Sequence, residues 1–177
     1  MHPEITYFPD STIDAEVDQQ IRDLLTTCFT KDEDGVFRSR RYWKEPYPNR
    51  WIIRENQDKL AAHIGVHEKE VRAGARHYRF GGIAEVCVHP DHRGKGYVKA
   101  MLAVIHPWLA RKGFAFSILF GDPDVYGSSG YTAIENLYMN TDPGAPESPR
   151  EPQTAMVRPL GDINWPEGVV TLLGPHF

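Results

Sequence analysis

Glu85-Val86-Cys87-Val88-His89-Pro90-Asp91-His92-Arg93-Gly94-Lys95-Gly96-Tyr97-Val98 is the stretch from which the rest of the chain is ordered. Its first residues read as the end of a strand, stopped at Pro90. A loop of Arg93, Gly94, Lys95 and Gly96 then opens directly into a helix with an apolar stripe of Val98, Met101, Leu102, Ile105, Trp108 and Leu109. Pro107 inside that helix removes a backbone bond and predicts a kink, and Gly113 supplies the C-terminal cap. A strand–loop–helix junction of this kind is an anion site. The glycines let the backbone approach closely, and free N–H groups and the helix N-terminus present positive charge. Arg93 and Lys95 add full charges suited to a phosphate-bearing ligand. The pattern is neither a Walker A loop nor GxGxxG, so ATP and dinucleotides are not implied.

Upstream, Glu4 to Phe8 reads as a first strand, stopped by Pro9-Asp10. Ile13, Val17, Ile21, Leu24, Leu25 and Cys28 then recur at helical spacing, and Ser11 with Asp14 resembles a capping box. Thr30 to Asn49 is polar and aromatic. With Arg38, Arg40, Arg41, Tyr42, Trp43 and Tyr47 it is either a surface loop pinned by aromatic anchors or a substrate wall. Trp51 to Arg54 and Leu60 to Val71 form a hairpin turning at Asn56 to Asp58, and after Gly74 the strand His77 to Val88 follows.

Downstream, Phe114 to Phe120 is apolar on both faces and therefore a central strand. A helical turn over Pro123 to Ser129 precedes another strand, Tyr131 to Met139. Four of the fourteen prolines fall in residues 140–153 with almost nothing apolar, which marks an exposed linker. The layout expected is a domain over 1–139, a proline-rich linker over 140–153, and 154–177 returning as a last strand and tail of the same domain.

The chain has 177 residues, 41% of them hydrophobic and 25% charged, with a net charge of −4. Such a chain buries a sizeable core unaided, and its charge balance offers no general attraction to nucleic acid or anionic lipid. The N-terminal residues show no signal peptide pattern and no apolar run reaches bilayer length. Two cysteines, Cys28 and Cys87, exclude a disulfide framework or a thiolate zinc site and suit a reducing cytoplasm. The eight histidines lack metal-site spacing, so no metal is expected. His89 and His92 are loop residues, and no Gly-x-Ser-x-Gly elbow supports a hydrolase triad.

Arg93-Gly94-Lys95-Gly96-Tyr97-Val98 after Val86-Cys87-Val88 resembles the acyl-CoA pyrophosphate motif of the GCN5-related N-acetyltransferase (GNAT) superfamily, Gln/Arg-x-x-Gly-x-Gly/Ala, with Val98 standing where Gly or Ala is usual. Tyr126-Gly127-Ser128-Ser129-Gly130-Tyr131 resembles the superfamily's Tyr-x-x-x-Gly-Phe/Tyr signature. The element order agrees over roughly residues 4 to 139. Shorter stretches, Ala61 to Gly65, Leu109 to Gly113, Phe120-Gly121, Trp165 to Gly168 and Gly174-Pro175, are similar to nodulation protein A, and the layout to aminoglycoside 2'-N-acetyltransferases. The resemblance implies an α/β (α+β) acyl-CoA N-acyltransferase fold, with a mostly antiparallel, splayed central sheet flanked by helices. It implies acetyl-CoA or another acyl-CoA as co-substrate, held by Val86, Cys87, Val88, Arg93, Gly94, Lys95, Gly96, Tyr97 and Val98, with the Val88 N–H as donor to the thioester carbonyl. Tyr126 would protonate the departing thiolate.

Direct attack of an amine on a thioester needs a base. Glu85 on that strand is the candidate, a burial-raised carboxylate or else a partner of Arg79 or another cation on a partly solvated face. Cys87 alternates with Glu85 and is expected to pack. The acceptor expected is a small-molecule primary amine, an amino sugar or aminoglycoside-like compound, acylated in a ternary complex. The alternatives are a fatty-acyl transferase of the nodulation protein A type or a non-catalytic acyl-CoA-binding module. An edge strand or the C-terminal tail would suit a homodimer.

Overall fold

Helix α1 (Ala15–Cys28) begins at Asp14, whose carboxylate accepts the Val17 N–H at 2.9 Å. The cap is therefore Asp14 and not Ser11, because Asp10–Thr12 take a 3-10 turn of their own. Glu16 and Asp18 complement the helix dipole, and Ile21, Leu24 and Leu25 turn inward. A computed structural model describes residues 3–56, 59–139 and 155–177. The expected 140–153 linker and part of the 56–58 turn lie outside the described residues.

The other elements are β1 (Ile5–Pro9), β2 (Asn49–Asn56), β3 (Lys59–Ala73), β4 (Arg76–Val88), α2 (Tyr97–Arg111), β5 (Phe116–Phe120), α3 (Pro123–Tyr126), β6 (Thr132–Ile134), β7 (Leu137–Met139), β8 (Ala155–Pro159) and β9 (Val170–Leu173). Hydrogen bonding orders the strands β1-β2-β3-β4-β5-β8-β6, with β9 on β3 and β7 on β9. The pairs β1–β2, β2–β3, β3–β9, β5–β8 and β6–β8 are antiparallel, while β4–β5 and β7–β9 are parallel. This is the mixed α/β class with a mostly antiparallel sheet. No described helix is long and apolar enough to cross a membrane.

The chain forms two compact units. The first comprises residues 1–67, 84–102 and 177. Its core sets Ile21, Leu24 and Leu25 of α1 against Ile52, Leu60, Cys87 and Phe37, the last on the 3-10 segment Asp32–Arg38. The polar stretch before β2 is thus pinned by buried Phe37 and Tyr47, as the anchored-loop alternative expects. β2 is set against β1 by five consecutive partners, Ile5 with Ile53 through Pro9 with Asn49.

The second unit comprises residues 68–83 and 103–176. β5 is buried at its first four residues and paired on both edges, the central strand expected of an all-apolar run. α2 runs through Pro107 to Arg111 and is closed off by left-handed Gly113 (φ 78°), beyond which the Phe114 N–H bonds the Leu109 carbonyl at 3.1 Å. The single strand expected over Tyr131 to Met139 is two, because Asn136 leaves the ladder. Its amide donates to the carbonyls of Pro166 (3.0 Å) and Gly168 (2.6 Å) and accepts from Trp165 Nε1 (2.8 Å). The C-terminal segment, expected to run as a tail after β8, adds a further strand instead: buried Val170, Thr171 and Leu172 of β9 pair with Ala73, Arg72 and Val71.

Candidate active site

In the first unit, β4 carries an irregularity two residues before its last buried position. Glu85 has φ 42°, the one positive value at a non-glycine among the described residues. That conformation is costly for an L-residue and persists only where its surroundings hold it. What holds it is a buried polar cluster drawn from β2, β3 and the loop before them. The backbone oxygen of Glu85 accepts from His63 Nδ1 at 2.9 Å. His63 Nε2 is then the lone-pair nitrogen, accepting from Arg50 Nη1 at 3.0 Å. Burial first, then the Arg50 charge, push His63 down to about 3, so the ring is neutral in any ordinary buffer.

Arg50 is fully buried, an expensive place for a guanidinium unless every donor is used. Its Nε meets Asp10 Oδ1 at 2.6 Å, Nη1 also reaches Tyr47 Oη at 2.9 Å, and Nη2 donates to the Arg41 carbonyl at 2.9 Å. Asp10 accepts from Arg41 as well, at 2.8 and 2.9 Å. Burial would raise the Asp10 carboxyl, but its bonds to Arg41 and Arg50 outweigh that and hold it below the ordinary value. Room for this cluster comes from Gly65, the cross-strand partner of Arg50: a Cβ there would lie 2.1 Å from the Tyr47 ring.

The Glu85 carboxyl faces the same group. Tyr47 and the Trp43 backbone N–H bond to it, yet Oε2 is sealed from water and has no hydrogen-bond partner among the described residues. Burial raises its pKa above the ordinary carboxyl value, against the opposing pull of Tyr47, Arg50 and Trp43. Burial and the neighbouring Glu85 charge likewise push Tyr47 well up. Such a carboxyl, its pKa raised and one oxygen short of a donor, has the proton affinity that a general base needs.

Past Val88, residues Pro90–His92 make a 3-10 turn and Gly94 (φ 78°) and Gly96 (φ 73°) both adopt left-handed backbone before α2 begins at Tyr97. No heavy atom lies within 4 Å of a Cβ built on either glycine, so the loop is open on that side. Arg93 Nε bonds the Val88 carbonyl at 3.4 Å. Lys95 Nζ is held by Glu55 Oε1 at 2.8 Å, and Tyr97 Oη bonds the same oxygen. His92 Nδ1 lies 3.3 Å from it. Val86, Cys87 and Val88 lead into this loop, and Val98 stands in the first turn of α2.

Tyr126 belongs to the second unit. It ends α3, a helix capped by Asp122 accepting the Asp124 N–H at 2.8 Å. Its ring lies over Gly121, where a Cβ would come within 2.5 Å of it, and meets Tyr131 edge-on at 6.3 Å. Tyr131 in turn bonds Ser117 Oγ (2.7 Å) and His106 Nε2 (2.8 Å) in the core.

The structure therefore gathers Glu85, Tyr47 and Trp43 with Arg50 and His63, which sequence reading passed over. No alternation singles out Arg50, because Asn49, Trp51, Ile52 and Ile53 around it are all buried too. Glu55, too, was not anticipated at the anion loop.

The family model described as an acetyltransferase (GNAT) domain matches residues 11–134. No curated protein sequence is significantly similar to the chain. Among solved structures, a GNAT family N-acetyltransferase (YhbS) from Escherichia coli in complex with CoA matches 98% of this chain and 92% of its own, with a TM-score of 0.69 and 18% identity. A GNAT family acetyltransferase from Brucella melitensis in complex with acetyl-CoA matches 96% of each chain, with a TM-score of 0.59 and 17% identity. The ribosomal-protein-S18-alanine N-acetyltransferase from Escherichia coli matches 91% of this chain and 97% of its own, with a TM-score of 0.55 and 18% identity. At these identities the likeness is one of fold.

Proposed function

Because the chain belongs to the GNAT acetyltransferase family, we propose that it transfers an acyl group, acetyl in the first instance, from acyl-CoA to a primary amine of a small molecule by direct attack. The amine acceptor is an amino sugar or a related aminated compound. What carries this reading is the environment of Glu85, a buried carboxyl with an unpartnered oxygen on the strand that runs into the glycine loop.

In this mechanism the diphosphate of the acyl-CoA sits on the backbone N–H groups of residues 93–98, with Arg93 and Lys95 as its counter-charges. Lys95 exchanges Glu55 for phosphate on binding. The pantetheine arm follows Val86, Cys87 and Val88 as an added strand, and the Val88 N–H polarises the thioester carbonyl. The neutral amine attacks the thioester carbon and gives up a proton to Glu85 as the C–N bond forms; the C–S bond breaks, and the family resemblance assigns to Tyr126 the proton that the departing CoA sulfur takes up. No covalent acyl-enzyme is formed, since the amine attacks the thioester itself.

The experiment is a thermal-shift and calorimetric titration with CoA, acetyl-CoA and a long-chain acyl-CoA, followed by turnover over a panel of amines. Acetyl-CoA at a hundred times its Kd adds about 2.7 kcal/mol, a rise in Tm of roughly 5–10 °C for a chain of this length. A larger rise with the long-chain donor moves the donor to a fatty acyl-CoA. Absence of any shift refutes acyl-CoA use, and binding without turnover of any amine refutes the transferase.

A further inference from the structure

Two thiols meet where α1 ends against β4. Cys28 is the last residue of α1, and Cys87 lies on β4 next to Val88. Both are free, and Cys28 packs against the buried cluster that contains Cys87. Cys87 is sealed among Ile21, Leu24 and Leu25, whereas Cys28 stands half-buried at the edge of that core. Cys28 Sγ also donates to the Val88 carbonyl at 3.4 Å, the same oxygen that accepts Arg93 Nε at 3.4 Å. The thiol pair and the anion loop thus share one backbone atom.

We propose that Cys28 and Cys87 form a redox modification site, oxidised by a peroxide to a disulfide that weakens acyl-CoA binding at the 93–98 loop. The affinity half rests on the acyl-CoA reading above; the disulfide half does not. The bond to Cys87 and the charge of Arg93 hold the Cys28 thiol below its ordinary value against the effect of burial, while burial pushes Cys87 up. Cys28, half-buried at the edge of the core, is the sulfur a peroxide can reach and so the attacking thiol, and sealed Cys87 is the resolving one. Cys28 sulfur attacks a peroxide oxygen, the O–O bond breaks, and hydroxide leaves and takes up the thiol proton as water. Cys87 sulfur then attacks the Cys28 sulfenic sulfur. The S–S bond forms, the S–O bond breaks, and the departing hydroxyl leaves as water with the Cys87 proton. Two thiols are oxidised and one peroxide is reduced to two waters.

Bonding draws the sulfurs to about 2.05 Å, pulling the end of α1 onto β4 and removing the S–H donor from the Val88 carbonyl. Arg93 loses the arrangement that positions it, and the donor-binding strand shifts with it. Such a bond forms under oxidant and is reversed by thiols, which is the behaviour of redox-sensing cysteines in reducing compartments.

The test uses the whole chain, treated with hydrogen peroxide and then with dithiothreitol. The expected results are a loss of two hydrogens in the intact mass and a cross-linked peptide joining Cys28 and Cys87. CoA affinity by calorimetry should fall about tenfold, an ordinary coupling between linked sites, and dithiothreitol should restore it. Cys28→Ser should form no cross-link and keep its CoA affinity through peroxide treatment. Addition of two or three oxygens to Cys28 with no cross-link overturns the proposal, as does a cross-linked chain with unchanged CoA affinity. If the untreated chain fails to bind CoA, the acyl-CoA reading is what fails, and mass and peptide map still decide the disulfide.

Discussion

Glu85→Gln separates what this carboxyl does for the reaction from what it costs the fold. The substitution keeps the shape and the bonds to Tyr47 and Trp43 in outline, but removes the group that can accept a proton. A positioned base contributes about 10²–10⁴ in rate, so kcat should fall by roughly two to three orders of magnitude, with the Kd for acetyl-CoA within about twofold of the parent. Stability should move the other way. The folded pKa of Glu85 lies above the ordinary 4.5 because burial disfavours the charge. Between that value and the raised one, the unfolded chain has released a proton that the folded chain still holds. Stability therefore declines as pH rises across the window, and the decline levels off above it. Each unit of elevation is worth about 1.4 kcal/mol, or roughly 3–6 °C in Tm for a chain of this size. Glu85→Gln should accordingly melt above the parent at pH 8 and level with it near pH 4, by differential scanning fluorimetry alongside a thiol-release assay of turnover. A variant with kcat within threefold of the parent would refute the base assignment. A variant that melts lower at pH 8 would refute the claim that the ionised carboxyl is a burden on the fold.

The anion loop gives a second expectation: Gly96→Ala meets no atom within 4 Å but must hold φ 73°. It should cost about 1–2 kcal/mol of stability and raise the CoA Kd roughly tenfold, read by melting and calorimetry. Glu55→Gln frees Lys95 from its carboxylate partner, and should tighten CoA binding a few-fold with a steeper salt dependence in titrations at varied ionic strength. Gly121→Ala drives a methyl to 2.5 Å from the Tyr126 ring. It should lower kcat to the same degree as Tyr126→Phe while leaving CoA affinity in place; a Gly121→Ala enzyme of full activity would remove Tyr126 from the mechanism.

What could be read from the chain in order was whatever neighbours in sequence decide. The Arg93 to Gly96 loop, the stripe of α2, the Gly113 cap and the all-apolar β5 are local patterns, and each stands where its pattern put it. Glu85 was legible as a carboxylate on the right strand, but not as a buried one short of a partner. That property belongs to Tyr47, Arg50 and His63, residues 22 to 38 positions away whose convergence depends on the register of β2 with β3. The exchange of Ser11 for Asp14 as cap, the break at Asn136 and the pairing of β9 with β3 were decided in the same way. Sequence alone determined which residues favour strand, turn or helix, because those preferences are set by each residue's own backbone and the few beside it. Only the tertiary structure decided which charges are buried and what they face, because the cost of a charge depends on neighbours in space, and distant registers choose those neighbours.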